Sequence, residues 1–75
     1  MISALGFRPT HVLVDGPFEN SDGEWTFPEW PVVLADDEGN EHVSCVCLSQ
    51  QTAVIWGREL AKKHQVAFIN ESTPD

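Results

Sequence analysis

Val32-Val33-Leu34-Ala35, then Asp36-Asp37-Glu38-Gly39-Asn40-Glu41, then His42-Val43-Ser44-Cys45-Val46-Cys47-Leu48: this stretch decides the fold. Two apolar, β-branched runs flank a polar segment in which Gly39 can take the left-handed position after a type I turn, the pattern of a hairpin with a bulge. Ser49 follows as an N-cap, and from there the apolar period changes. Ala53, Trp56, Gly57, Leu60, Ala61 and His64 recur at helical steps, which predicts a helix from Gln50 to about His64 with that stripe buried. Lys62 and Lys63 fall in its last turn, where cations complement the exposed carbonyls. Gly57 is a poor helix former beside Trp56, and its place on the stripe points to close approach of helix backbone to sheet.

Working outward, Thr10 to Asp15 reads as a strand that stops at Gly16-Pro17. Phe18 to Pro31 alternates poorly. It holds a turn signal at Asn20-Ser21-Asp22-Gly23 and a short strand at Glu24-Trp25-Thr26-Phe27 with Trp25 and Phe27 on one face. Pro28 and Pro31 confine this piece to an edge or a loop. Val66 to Asn70 is a final strand, expected parallel to and beside the strand before the helix, and Glu71 to Asp75 reads as a frayed tail. The expected fold is α+β: a small antiparallel or mixed sheet of about four strands with one helix packed on one face, in the order β-(β)-β-β-α-β. Trp56, Phe68, Val43, Val46, Leu48, Leu60 and Val12 or Leu13 are its expected core, and residues 1–75 its single compact domain.

Seventy-five residues bury little more than ~60% of the surface an unfolded chain exposes, so function is expected on the outside rather than in a cavity. The start of the chain lacks a basic region and a signal-length apolar run, and no segment reaches the ~18 to 20 apolar residues that cross a bilayer. A cytoplasmic location is expected, and no membrane partner. Cys45 and Cys47, one residue apart on a strand, read as two buried thiols in a reducing compartment rather than as a disulfide.

Charge is divided unequally. Residues 1–41 carry nine carboxylates and Arg8, a balance of −8, whereas residues 42–75 carry three carboxylates and three basic side chains. Such a chain is repelled by nucleic acid and anionic lipid and attracts basic surfaces. Direct nucleic-acid binding is not expected, since Arg8, Arg58, Lys62 and Lys63 are too few for a phosphate-binding face.

Chemistry finds little foothold. Zinc wants four converging ligands with cysteines spaced by two to four residues; here the spacing is one, and simple alternation puts His42 on the strand face opposite Cys45 and Cys47. The acidic hairpin turn fails as a calcium loop, because aligning Gly39 with the loop glycine puts Leu34 at the first ligand position. His42 and Ser44 stand ~6 to 7 Å apart along a strand with no orienting third group. No cofactor, metal site or catalytic residue is expected, and no enzyme.

What remains is an aromatic segment set among acids. Trp25, Phe27 and Trp30, with Asp22, Glu24, Glu29, Asp36, Asp37, Glu38 and Glu41, compose the expected protein-binding surface: apolar area for affinity, charge to steer a basic partner. The expected function is a non-catalytic acidic protein-binding module, in its sharpest form an inhibitor that occupies the basic surface of a nucleic-acid-binding protein by charge mimicry. The alternatives are a small metal-binding or redox module using Cys45 and Cys47 and a structural subunit of a homo-oligomer such as a homodimer.

Overall fold

The computed structural model describes residues 6–74, with the backbone alone at Asp22. The chain is a small α+β domain with one helix on one face of a mixed five-stranded sheet. In order the elements are β1 (His11–Val14), β2 (Phe18–Asp22), β3 (Trp25–Ala35), β4 (Glu41–Cys47), α1 (Gln50–His64) and β5 (Ala67–Asn70).

β3 is the spine of the sheet. Its second half lies between β1 and β4 and is antiparallel to both, with Val32 opposite Val14 on one side and Cys45 on the other. Its first half pairs with β2 as far as a turn at Gly23-Glu24, so residues 18–29 form a two-stranded arm. The turn signal at residues 20–23 therefore falls two residues late in the structure, and Asn20 to Asp22 are strand. β1 and β2 follow one path along β3, broken by a bulge in which Asp15, Gly16 and Pro17 face only Trp30 and Pro31. Gly16 sits there at φ 104°, and a Cβ on it would meet the Glu29 carbonyl oxygen at 2.7 Å; conformation and space both select glycine.

This bulge is tied down from an unexpected quarter. Glu71 N–H donates to the Val14 carbonyl at 2.9 Å and Thr73 N–H to the Gly16 carbonyl at 3.0 Å, extending the line of β5 past the bulge. The Trp30 indole Nε1 donates to the Thr73 carbonyl at 2.9 Å, and Gln50 Nε2 to Ser72 Oγ at 3.1 Å. Residues 71–74 thus close over the bulge where a frayed tail is expected; Asp75 lies outside the described residues.

β5 points the expected way but beside a different strand. It pairs in parallel with β1, so the connection through α1 passes across β3 and β1 rather than returning next to β4. β4 and β5 consequently form opposite edges of the sheet. α1 starts on Ser49, whose Oγ accepts from Thr52 N–H at 3.1 Å, and ends on Gln65 in the left-handed conformation with Lys62, Lys63 and His64 in the last turn.

The core gathers Val12, Val14, Trp30, Val32, Leu34 and Cys47 from the sheet against Ala53 and Ala61 from the helix. Four expected members are absent from it: Val43, Val46, Leu48 and Trp56 are exposed. The helical stripe is also rotated from the expected one. Ala53, Gly57 and Ala61 are buried, Leu60 is half-buried, and Trp56 and His64 face out. The small residues let α1 settle chiefly over β1, so close that a Cβ on Gly57 would stand 2.6 Å from Val14 Cγ2. The expected close approach is real; the expected burial of Trp56 is its casualty. Among the described residues no helix is long and apolar enough to cross a membrane.

Candidate functional site

The ten residues read as a binding surface separate into two clusters and one core residue. Glu24, Trp25, Phe27 and Glu29 lie on the arm, with Asp22 opposite Trp25 in the backbone ladder. Asp36, Asp37, Glu38 and Glu41 lie at the far end of β3, roughly 33 Å away at ~3.3 Å per strand residue. They form no single patch. Trp30 belongs to neither cluster: only 3% exposed, it fills the core and spends its indole N–H on Thr73. Alternation along β3 explains the division, since Trp30 shares the face of Val32 and Leu34 while Trp25 and Phe27 share the other.

The arm carries a coherent surface. Phe18 and Asn20 on β2 pair with Glu29 and Phe27 on β3, so Phe18, Phe27 and Trp25 occupy one face. Trp25 is 76% exposed and Phe18 52%, with Phe27 half-buried between them. Glu24 in the turn and Glu19 on the opposite face supply the surrounding charge, and Glu29 is oriented by Asn20 Nδ2 donating to its Oε1 at 2.7 Å. Phe18 is a member that sequence reading missed; its signal was an aromatic at even spacing from Asn20 and Asp22.

The second cluster is largely occupied with its own loop. Asp36 Oδ1 accepts from Glu38 N–H at 3.0 Å and Asn40 N–H at 2.9 Å, and Oδ2 accepts from Asn40 Nδ2 at 2.9 Å. The Asn40 side-chain bond, followed by those backbone donors, holds the Asp36 carboxyl below its ordinary value. Gly39 is at φ 91°, as the turn requires, and Asp37, Glu38 and Glu41 point to solvent.

A third feature has no counterpart in the sequence reading. Because α1 sits over β1, the helix side of β4 is left partly uncovered, and a groove of about 600 Å³ opens between them. Cys45, Cys47 and Leu48 form its floor and lip; Thr52, Trp56 and Leu60 form its helical wall. The pairing explains which thiols face it. His42, Cys45 and Cys47 stand opposite Leu34, Val32 and Trp30, all core residues, and the extra residue Ser44 bulges out between Val43 and Cys45. His42 is therefore on the same face as the cysteines, not the opposite one. It is still no chelate: the partners of His42 and Cys47 are four residues apart on β3, roughly 13 Å. Among the described residues no three His, Cys, Asp or Glu side chains gather as metal ligands. Burial, with the neighbouring Cys45 second, pushes the Cys47 thiol up to about 11, so it stays protonated at neutral pH.

Compared with known protein families, curated proteins and solved structures, the chain matches none. Its chemistry must be read from its own surfaces.

Proposed function

We propose that this chain is a non-catalytic, cytoplasmic protein-binding module whose contact face is the aromatic side of the β2–β3 arm. One observation carries the reading: an arm that projects from the sheet holds Trp25 and Phe18 more than half exposed amid carboxylates. Exposed aromatics with an acidic surround give a partner both an apolar anchor and a direction of approach. The partner is a protein with a basic surface, because residues 1–41 hold the whole −8 of charge. Charge mimicry of a nucleic acid is the inhibitory form of this function. It is favoured by the spread of carboxylates to both ends of a body 44 Å long, against 22 and 17 Å in its other dimensions.

The test compares capture by the wild-type domain and by Trp25→Ala from the same lysate, at low and moderate salt. A basic protein retained by the wild type, released by salt and lost on Trp25→Ala by a factor of roughly 30 or more in affinity is the expected outcome. Retention indifferent to both changes would remove the arm from consideration.

A further inference from the structure

We infer that Cys45 and Cys47 form a two-coordinate site for a soft monovalent metal ion, copper(I), at the floor of the groove between β4 and α1. The site lies apart from the arm and does not depend on the function proposed for it.

The first argument is placement. Cys45 and Cys47 stand opposite Val32 and Trp30, so both side chains leave β4 on the helix side, and both line the groove. The ladder is regular from Cys45 to Cys47, because the Ser44 bulge precedes them. Cys45 is half-buried and Cys47 buried, which gives the pair an entrance from solvent at one end and a fixed wall at the other.

The second is spacing. Same-face neighbours on a strand are roughly 6.6 Å apart, whereas a disulfide wants its Cβ atoms within about 3.5 to 4.5 Å. The pair is too far apart to close on itself. It is well placed to close on an ion. Two metal–sulfur bonds in line, each about 2.3 Å as in a zinc–thiolate bond, span roughly 4.6 Å, and each sulfur need lean only about 1 Å toward the other. The sulfurs do lean together: after burial, the causes that raise the Cys47 thiol are the charge of Cys45 and a hydrogen bond with it.

The third is the choice of metal. Thiolates select zinc, iron–sulfur clusters and copper(I). The first two need four ligands, and among the described residues no three His, Cys, Asp or Glu side chains gather. Copper(I), a filled-shell ion of single charge, is satisfied by two thiolates in line. Copper(II) would want a planar set of nitrogen and oxygen ligands, and the groove offers only the hydroxyls of Ser44 and Thr52. His42, though on the same face of β4, does not line it.

The fourth is charge. Binding exchanges two S–H bonds for two S–Cu bonds: both protons leave to solvent, the metal keeps its oxidation state, and the site ends with one net negative charge. That charge meets the positive end of α1. Thr52, in the first turn, lines the groove beside the cysteines, and that turn holds no acidic residue to oppose it. A chain of net charge −8 also draws cations toward itself.

Anaerobic titration tests this, with copper(I) supplied as its acetonitrile complex to the reduced full chain in the presence of the chromophoric chelator bicinchoninate. One copper per chain is expected to pass from chelator to protein, and X-ray absorption at the copper edge is expected to show two sulfur neighbours and no nitrogen. Cys45→Ser, at the half-buried position where the fold is least at risk, is expected to weaken retention roughly 100-fold or more, since one thiolate then works without an intramolecular second. His42→Ala is expected to bind as the wild type does. Circular dichroism confirms that each variant is folded. Copper left wholly with the chelator overturns the inference. So does Cys45→Ser binding as tightly as the wild type, which puts the metal elsewhere, or a loss on His42→Ala equal to that on Cys45→Ser, which makes the site three-coordinate. One copper shared by two chains overturns it too, because the two thiols of one strand would then not converge.

Discussion

The two sides of α1 contrast sharply. Toward β1 and β5 the helix presents Ala53, Gly57 and Ala61, and a single added methyl at Gly57 would reach Val14 Cγ2 at 2.6 Å and Phe68 Cε1 at 2.7 Å. Toward β4 it presents Thr52, Trp56 and Leu60, and there the sheet and helix stand far enough apart to leave a groove of about 600 Å³. Small side chains have drawn the helix onto one side of the sheet, and the large ones overhang the other. A helix does not centre itself on a sheet; it settles where its backbone comes nearest, and volume left on the far side becomes surface. The same logic divides the three tryptophans, with Trp30 beneath the tight side's closure and Trp56 and Trp25 outside it.

That division is most easily broken by removing the tryptophans one at a time. Trp30→Ala deletes a core side chain and the bond to Thr73, and is expected to destabilise by about 3 to 5 kcal/mol. A domain of 75 residues has a total stability of only about 4 to 11 kcal/mol, so this one substitution is expected to remove roughly a quarter of it or more. Trp25→Ala, on an open arm, is expected within about 0.5 kcal/mol of wild type. Urea denaturation of the pair measures the difference, and equal losses would mean that Trp25 packs in solution.

Gly57→Ala is the next sharpest cut, because two effects oppose. Alanine gains about 1 kcal/mol of helix propensity. Its methyl must displace Val14, which is wholly buried and has nowhere to go, and overpacking of that kind costs about 1 to 3 kcal/mol. A net loss of about 1 kcal/mol is expected in urea denaturation. A gain would show that the helix can lift off β1, and the contrast between its two sides would weaken accordingly.

Much of this architecture is legible in the sequence where a local rule applies. Ser49 caps α1, Gly39 turns the loop, and the hairpin of β3 and β4 and the parallel last strand each carry their own signal. The arm is hidden because Pro28 and Pro31 argue against a strand. The structure places both where a missing N–H does least harm: Pro28 where β3 has only β2 beside it, and Pro31 opposite the bulge at 15–17. Had the run from Trp25 to Ala35 been read through its prolines, parity alone would have put Trp30 with Val32 and Leu34. Helical period could not do as much for Trp56. It finds a stripe but not the rotation of the helix about its axis, which is set by side-chain volumes against β1. The Ser44 bulge leaves no mark in the sequence at all, and with it goes the face of His42. Of the residues read as a binding surface, the five on the arm stay together because they are neighbours in sequence; the loop acids part from them because distance along a strand is not visible in composition.

The smallest expected effect concerns the two thiols on the open side. Cys45 is half-buried against the groove, while Cys47 is 7% exposed with its thiol pushed up to about 11, first by burial and then by Cys45. In the unfolded chain the Cys47 thiol ionises near 9, so between about pH 9 and 11 the unfolded state has lost a proton that the folded state retains. Folding stability is therefore expected to fall as pH rises through that window and to be insensitive to this thiol below it. Alkylation kinetics give the same ordering. Cys45 is expected to react first in the folded chain, and Cys47 to stay slow until pH approaches 11. Mass spectrometry of partly alkylated protein distinguishes the two positions after digestion. Prompt reaction of both at pH 8 would mean that the groove opens down to the core, and that the helix holds β1 less firmly than Gly57 implies.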